Sequence, residues 1–174
     1  MRAIAIVIAL LLAFPGTLLA HWPVKGRVSQ WFTRSHRAVD IAAPRGTSIR
    51  PIAAGRVVLA GWRNNCGGWQ VWIRHDGYYS TYAHMSRDPL VDKGDDVTTD
   101  TRIGVVGSTG CTTGPHVHVE VWKGYPWHAG SVRVNPIGYM NEPKATPAPA
   151  PTPTPTQRQI LQLAPLGRLM LLPL

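Results

Sequence analysis

The sequence predicts an all-β fold, a single compact domain built on an antiparallel sheet. Short β-branched or aromatic runs recur through the middle of the chain, and glycine, asparagine or aspartate separates them. No helical stripe of useful length and no internal repeat interrupts these runs. The predicted domain covers residues 24–141, which is long enough for one domain to bury its own core.

The predicted strands follow one another in order along this segment. Each run is short, and its residues suit a pleated, half-buried surface. The dipeptide Asp76-Gly77 predicts a tight hairpin turn between the second run and the third. The five runs are GRVVLAGW (55–62), WQVWIRH (69–75), YYSTYAHM (78–85), RIGVVG (102–107) and HVHVEVW (116–122).

The two ends of the chain differ in composition from this domain. Residues 1–20 have one basic residue, an apolar core, a Pro15-Gly16 break and a final alanine, which is the pattern of a secretory signal peptide. An uncleaved anchor is the alternative, although the apolar core is short for a spanning helix. Residues 143–156 alternate proline with small residues and predict an extended linker. Residues 157–174 form an apolar tail, either a peptide that docks on a membrane or partner or a poorly ordered end.

These ends predict an exported protein, secreted or held in the cell envelope. The chain has 18 Lys and Arg against 9 Asp and Glu, a formal net charge of +9. The signal peptide contributes only Arg2 to this charge, so the mature chain stays strongly basic. On an exported protein, a basic surface favours anionic wall polymers or membrane surfaces over nucleic acid as partners.

Two histidines one residue apart, His116 and His118, stand in a predicted strand just after a turn built on Gly114 and Pro115. Alternate residues of a strand share one face and lie about 6 to 7 Å apart. One imidazole can therefore bind a metal while the other reaches a water or substrate bound to it. Two solvated histidines on an edge strand are the alternative. Glu120 has the same parity and is either a hydrogen-bond partner of a ligand or a solvated ion-pair partner.

His36 and Asp40, four residues apart in HRAVDIAAP, are candidate metal ligands. In a straight strand they would lie about 13 Å apart, so sharing a metal requires the chain to turn between them. This arrangement places His36 on a loop and Asp40 at the start of a strand. Two imidazoles and one carboxylate leave a tetrahedral zinc with one open position, as in catalytic sites. Neither HExxH nor a CxxC pair occurs, so a helix-borne zinc protease and a zinc ribbon are unsupported.

His84 is a further candidate for the same cleft. Strict alternation in YYSTYAHM puts it on one face with Ser80 and Tyr82, and puts Thr81 and Ala83 on the other. Taken alone, a surface histidine is the alternative for this position. The histidines outside these motifs are interpreted as structural or exposed: His21, His75 and His128.

Together these segments resemble the lysostaphin-like, or LytM-type, zinc endopeptidases, which cut peptidoglycan cross-bridges and stem peptides. Each segment alone is unspecific, whereas the set is highly specific and covers nearly the whole core. The resemblance implies an endopeptidase with one Zn²⁺ and with peptidoglycan as its substrate. It rests on HRAVDIAAPRGTSI, IAAGRVVLAGW, YYSTYAHM, VDKGDDVTTDTRIGVVGSTG and TGPHVHVEVW.

The resemblance also implies a role for each motif residue. The zinc ligands would be His36, Asp40 and His118, and the catalytic histidines outside the ligand set would be His84 and His116. One of these two histidines would act as general base on the attacking water. The other would stabilise the oxyanion or help to protonate the leaving amine, and the order of the two roles stays open.

No motif position is missing from this chain. Some relatives have lost ligands and act as activators of other wall hydrolases, so the intact set favours an enzyme. Some other relatives are kept latent by a long N-terminal segment that blocks the zinc. Little chain lies between Ala20 and Val24, so we expect the mature enzyme to need no N-terminal activation.

Cys66 and Cys111 are the only cysteines, and both stand in glycine-rich loops. In an exported chain a disulfide between them is the first expectation. Its loop of roughly 45 residues would contribute on the order of 4 kcal/mol by the chain-entropy argument. The family places these two loops beside the substrate groove. The rival interpretation makes Cys111 a nucleophile with His116 as its base, which leaves the HxxxD motif unexplained.

A non-catalytic wall-binding or hydrolase-activating module is the alternative to an enzyme. The intact ligand set favours the enzyme, because a pure binder has no chemical reason to keep it. Two bonds stay open as targets, glycyl-glycine in a bridge and D-alanyl in a cross-link to a diamino acid. In a binding module, the basic charge and four tryptophans that look exposed would contact sugar or peptide: Trp62, Trp69, Trp122 and Trp127.

Overall fold

The computed structural model describes residues 21–141. The predicted signal peptide, the linker and the apolar tail lie outside the described residues. Between residues 21 and 141, no helix is long and apolar enough to cross a membrane. The elements are β1 Arg27–Gln30, β2 Val39–Ala42, β3 Ser48–Ile49, β4 Gly55–Arg63, β5 Gly68–Arg74, β6 Tyr79–Met85, β7 Asp96–Val97, β8 Gly104–Val105, β9 His116–Lys123, β10 Val132–Val134 and α1 Pro136–Asn141.

Eight of the ten strands form one antiparallel sheet. Their order is β1-β2-β9-β6-β5-β4-β7, and β10 continues the edge of β2 along the second half of β9. The strands β3 and β8 form a separate two-stranded ribbon. In the described part of the chain the only helix is the six-residue α1, so the all-β prediction is confirmed.

Strand β9 lies inside the sheet, and its side chains point alternately to the two faces of the sheet, here called the core face and the site face. Its three valines, Val117, Val119 and Val121, are fully buried. Burying one such side chain contributes about 1.5–3 kcal/mol, which fixes the register of the strand. Residues of the ribbon, the loops and α1 pack on the same face, including Ile49 and Met140. The histidines and the glutamate of β9 therefore point to the opposite face, the site face.

The hairpin between β5 and β6 turns where the sequence predicts it. Gly77 has a φ of 75°, in the left-handed region that glycine adopts without strain. Strands β5 and β6 then pair directly, from Arg74 opposite Tyr79.

A β-bulge in β6 makes the predicted face of His84 wrong. Val71 of β5 pairs with Tyr82, whereas Trp69, two residues earlier, pairs with Met85, so β6 carries one extra residue here. His84 takes a φ of 63° within the bulge. Alternation would put its side chain in the core beside Tyr82. The bulge turns it to the site face, while Met85 after it is again fully buried in the core.

Candidate metal centre

A cleft opens on the site face of the sheet, over β2, β9, β6 and β5. Loops at the ends of these strands form its rim. All five motif residues from the sequence line this cleft, as does the glutamate of β9: His36, Asp40, His84, His116, His118 and Glu120.

Strand pairing brings Asp40 and His118 together. They are direct partners across β2 and β9, and His118 Nδ1 lies 2.7 Å from Asp40 Oδ1. His36 stands on the loop before β2, and its Nε2 lies 3.3 Å from Asp40 Oδ2. One ligand atom from each of the three residues lies within 4.8 Å of the others. This spacing suits a zinc ion with ligand distances of about 2.0–2.2 Å.

Hydrogen bonds orient the rings of both candidate histidine ligands. His36 Nδ1 donates to Trp31 O at 3.3 Å, because a carbonyl oxygen can only accept. This bond leaves the unprotonated Nε2 of His36 directed at Asp40. On the other ring, His118 Nε2 lies 3.5 Å from Glu120 Oε1, which turns Nδ1 towards Asp40. A carboxylate or carbonyl partner on the second ring nitrogen is the usual arrangement of a metal-binding histidine.

Electrostatics also suit a cation between these groups. Burial lowers the pKa of His118, but its hydrogen bonds to Asp40 and Glu120 outweigh burial and raise this pKa to about 9. Burial raises the pKa of Asp40, but the hydrogen bond with His118 and the nearby histidines bring it below its ordinary value. Burial also raises the pKa of Glu120, but its partners, with His118 first among them, bring this pKa below its ordinary value. Asp40 and Glu120 are therefore both ionised at neutral pH. A metal cation would replace the proton on His118 Nδ1.

His84 and His116 present the same ring nitrogen to the cleft. His84 Nδ1 donates to Thr109 O at 2.7 Å, and His116 Nδ1 donates to Gly114 O at 2.9 Å. Each neutral ring therefore has its unprotonated nitrogen at Nε2. His116 Nε2 lies 3.8 Å from Asp40 Oδ2. Burial lowers the pKa of His84 more than the Thr109 carbonyl raises it, so this ring stays neutral at neutral pH.

A second group of three side chains also meets the distance requirement for a metal. It consists of His84, His116 and His118, whose ligand atoms lie within 4.8 Å of one another. The group with His36 and Asp40 is the better ligand set, because its carboxylate offsets the charge of a divalent cation.

A disulfide joins Cys66 and Cys111, as the sequence predicts. Their Cα atoms lie 4.7 Å apart, and Cys111 N donates to Cys66 O at 2.8 Å. Both cysteines line the cleft, so the bridge ties together two loops of its rim. Cys111 has no free thiol, and the interpretation of this residue as a nucleophile is wrong.

The four tryptophans differ in exposure. Trp62 and Trp127 are about half exposed, at 49% and 50%, whereas Trp69 is partly buried. The prediction of exposure is wrong for Trp122, which is only 5% exposed. Its indole N–H donates to Glu120 Oε2 at 2.7 Å, so this tryptophan helps to hold the Glu120 carboxylate in position.

The histidines outside the motifs do not line the cleft. His75 is buried, with Nδ1 2.8 Å from Ala54 O and Nε2 2.7 Å from Ser80 Oγ, which is a structural role. His128 is exposed and His21 is partly exposed. The interpretation of these residues as structural or exposed agrees with their surroundings.

One charged residue of the cleft, Arg133 on β10, is not among the residues predicted from the sequence. Its Nη1 donates to Glu120 Oε1 at 2.9 Å. Arg133 lies ten residues beyond the last strand of the motif, in a short segment with no distinctive pattern. Only the pairing of β10 with β9 reveals that it reaches the site.

Comparisons with known proteins agree with this geometry. The sequence profile of Peptidase family M23 matches residues 34–136. The peptidoglycan DD-endopeptidase ShyC of Vibrio cholerae is 39% identical over 99 residues, which are 56% of this chain and 21% of that protein. The structure of lysostaphin from Staphylococcus simulans has a TM-score of 0.59 at 28% identity and covers 78% of this chain and 57% of its own. A zinc-containing peptidase from Vibrio cholerae has a TM-score of 0.55 at 27% identity, over 60% of this chain and 36% of its own.

The matched region is a small part of the larger relatives. The chain spans about a fifth of the length of the curated relatives that it matches. Within this chain, the family profile covers more than half of the residues and includes all five motif residues. The predicted family and fold are thus confirmed, and the chain belongs to peptidase family M23.

Proposed function

We propose that this protein is an exported zinc endopeptidase that hydrolyses peptide bonds in peptidoglycan. The observation that carries the proposal is the convergence of His36, Asp40 and His118 in one cleft, with two more imidazoles beside them. The similarity to a peptidoglycan DD-endopeptidase supports the substrate class. The similarity to a zinc-containing peptidase supports the choice of metal.

The metal would be held by His36 Nε2, an oxygen of Asp40 and His118 Nδ1. These donors fit zinc, because two imidazoles and one carboxylate leave a position open for water or substrate. When bound, zinc lowers the pKa of water towards 7 and polarises the scissile carbonyl. Glu120 holds the ring of His118 in place through the contact at Nε2.

His116 is best placed to act as the general base. Its Nε2 can accept a proton from the attacking water, and Asp40 Oδ2 at 3.8 Å stabilises the imidazolium that forms. The same nitrogen then gives that proton to the leaving amine as the peptide bond breaks. The backbone carbonyl of Gly114 keeps the ring oriented through both steps.

His84 orients the water from the other side. Its Nε2 is an acceptor, and burial lowers its pKa, so the ring stays neutral while His116 changes charge. A ligand nitrogen of His84 lies within 4.8 Å of one of His116, close enough for one water to donate to both rings. The water thus has one O–H directed to each histidine before it attacks.

The test is a comparison of zinc content and wall digestion between wild type and His118→Ala. We expect wild type to hold about one zinc and to release new amino termini from purified peptidoglycan, because the ligand set is complete. His118→Ala should do neither. His21→Ala removes a histidine outside the cleft and should match wild type. Mass spectrometry of the released muropeptides identifies the bond.

The binding or activating module remains the rival function. Wild type that holds zinc but releases nothing from any type of wall would have a complete ligand set without hydrolytic activity. That result would favour the binding or activating module over the enzyme.

Export is part of the proposal. The signal-peptide pattern of residues 1–20 supports it, and so does the disulfide, because disulfides persist in oxidising compartments. Fractionation of cells that produce the full chain should place the protein outside the cytoplasm, with a mature N-terminus at His21. A protein retained in the cytoplasm with Met1 in place would contradict export.

Contact with an anionic wall polymer or a membrane surface is a further part of the proposal. The basic charge that remains after removal of residues 1–20 supports it, and the apolar residues 157–174 offer a second contact. Binding to anionic vesicles should weaken as salt increases, and truncation after residue 156 should reduce it. Binding that is unchanged by salt and by the truncation would contradict the proposed surface contact.

A further inference from the structure

One wall of the cleft differs from the rest in charge. Arg133 is the only lysine or arginine among the described residues that line it. Apart from the motif residues and Glu120, the other polar lining is neutral, with amides at Asn65 and Gln70 and a hydroxyl at Thr113. A cation at a single place in an otherwise neutral rim can select one group of a substrate.

The guanidinium of Arg133 is close to the candidate metal ligands. Oε1 of Glu120 accepts from Arg133 Nη1 at 2.9 Å and lies 3.5 Å from His118 Nε2. The Arg133 side chain is 32% exposed, so it also faces the open cleft. Arginine has five N–H donors, and the bond to Glu120 uses one of them. The donors on Nε and Nη2 have no acceptor among residues 21–141 in the structure.

Two tryptophan rings hold Arg133 in position. The guanidinium carbon lies 5.2 Å from the ring centroid of Trp122 and 5.6 Å from that of Trp127. Such cation–π contacts restrict the arginine before any ligand arrives. Trp127 itself has a φ of 67°, in a region that a tryptophan rarely adopts. Its ring lies against Trp122 and lines the cleft, half exposed.

The charge of the loaded site favours an anionic group. By formal charge, a divalent zinc and Arg133 together exceed the two carboxylates of the cleft, Asp40 and Glu120, by one positive charge. The low-dielectric walls of a cleft strengthen the attraction of such a field for an anion.

We propose that Arg133 and Trp127 form a subsite that binds a carboxylate beside the scissile bond of the substrate. This inference rests on the proposed function and narrows it. In a D-alanyl cross-link to a diamino diacid, the acylated amine carries a carboxylate on the same carbon. The internal bonds of a glycine bridge carry no such group. The geometry therefore points to the D-alanyl cross-link as the bond that this protein cuts.

The test uses three synthetic probes. The carboxylate probe is N-acetyl-D-alanine joined through its carboxyl to one amine of meso-2,6-diaminopimelate. The amide probe is the same compound with a carboxamide in place of the carboxylate beside the acylated amine. The third probe is pentaglycine with an acetylated N-terminus and a C-terminal carboxamide, so that none of its bonds lies beside a carboxylate. Hydrolysis of all three is measured on zinc-loaded protein, and binding is measured by calorimetry in a His116→Ala background, so that turnover does not consume the probe.

We expect the carboxylate probe to bind about tenfold more tightly than the amide probe, because hydrogen bonds between two charged groups are the stronger ones. Arg133→Gln should remove this ratio with zinc content unchanged. Arg133→Lys should keep part of it, because lysine keeps the charge but loses the planar fork. Arg74→Gln, at the end of β5 away from the cleft, should keep all of it.

The outcomes separate the subsite from the proposed function. A tenfold ratio that survives Arg133→Gln, or equal binding of both probes to wild type, overturns the subsite. If Arg133→Gln loses zinc, the binding ratio of the two probes is compared between Arg133→Lys and wild type instead. Equal ratios in these two proteins overturn the subsite. Hydrolysis of pentaglycine without hydrolysis of the carboxylate probe also overturns it and leaves the endopeptidase standing. In a further outcome, wild type shows the tenfold binding ratio and Arg133→Gln loses it, while no probe and no purified peptidoglycan is hydrolysed. That result supports the subsite and rejects the enzyme.

Discussion

His84 and His116 lie side by side in the cleft with ring centroids 4.8 Å apart, and each donates its Nδ1 hydrogen to a backbone carbonyl. One comes from the bulge of β6 and the other from the start of β9, so two separate elements supply the pair. In both neutral rings the unprotonated nitrogen is Nε2, and both residues line the same cleft. His36 and His118 instead place a ring nitrogen 3.3 Å and 2.7 Å from a carboxylate oxygen of Asp40, closer than His116 Nε2 at 3.8 Å.

Removing either ring of this pair should stop hydrolysis without removing the metal. We expect His84→Ala and His116→Ala to lower the rate by about 10²–10⁴-fold, the usual contribution of a positioned acid or base. Both variants should keep their zinc, because neither residue belongs to the group around Asp40. Zinc analysis beside muropeptide release measures both properties. Asp40→Ala serves as the contrast and should lose the zinc. Loss of zinc from both histidine variants would instead make the all-imidazole group the metal site.

Glu120 should control the affinity of the site for zinc. Its contact with His118 Nε2 orients the ring, and removal of such a partner typically costs about 10–100-fold in metal affinity. We therefore expect Glu120→Gln to lose zinc to a chelator at a correspondingly lower chelator concentration than wild type. Thr81→Val is the matched control, because Thr81 donates to the other oxygen of Glu120 at 3.2 Å. Equal loss in both variants would mean that any disturbance of Glu120 suffices and that its contact with His118 has no special role.

The sequence was sufficient for those parts of the site that follow strand alternation. The valines of β9 are buried, so the parity of His116, His118 and Glu120 follows directly. Asp40 reaches His118 because β2 pairs with β9, and a pairing partner is a long-range fact that alternation within one strand does not contain. The family resemblance implied that Asp40 and His118 share one ligand set, whereas the strand pairing itself was not predicted.

The sequence failed where a local irregularity or a distant strand decides the outcome. His84 reaches the cleft only because β6 has an extra residue and a positive φ, and no residue in YYSTYAHM marks a bulge. Trp122 is buried and donates its indole N–H to Glu120, neither of which alternation alone can show. Arg133 depends on the pairing of β10 with β9. In each of these cases tertiary contacts overrode the local pattern.

Zinc affinity should rise with pH between about 7 and 9. The pKa of His118 in the metal-free protein is about 9, above its ordinary value, so a proton must leave Nδ1 before the metal can bind below that pH. One released proton makes the affinity rise about tenfold per pH unit up to the pKa and level off above it. Competition with a chelator of known pH dependence measures the slope. A flat affinity from pH 7 to 9 would show that His118 is not protonated in the metal-free site.

The same protonation has an opposite consequence for the stability of the metal-free protein. A raised folded-state pKa means that the folded protein holds the proton more tightly than the unfolded chain. The extra stability is therefore fully present below about pH 6.5 and is lost as pH rises through about 9. Denaturation of chelator-treated protein should show this loss in wild type and not in His118→Ala. An identical pH dependence in the two proteins would assign the effect to other groups.

The disulfide should stabilise the fold without taking part in the chemistry. Cys66 and Cys111 are separated by 45 residues, and closing such a loop in the unfolded chain corresponds to roughly 2–4 kcal/mol of unfolding free energy. Replacing both cysteines by serine should lower the free energy of unfolding in urea by about this amount. The zinc content should not change, because no ligand depends on the bridge.

Hydrolysis by the serine double variant should persist below its melting temperature. Thr109, whose carbonyl fixes His84, is also held by its own hydroxyl, which donates to Met85 O at 2.6 Å. Thr109 Oγ1 in turn accepts from Trp69 N at 3.2 Å, so this loop keeps two attachments to the sheet after the bridge is removed. Thiol alkylation of the oxidised wild type should leave its rate unchanged, whereas chelation should abolish it. A rate that falls on alkylation, or a folded double variant with full zinc and no activity, would require the bridge itself to shape the cleft for catalysis.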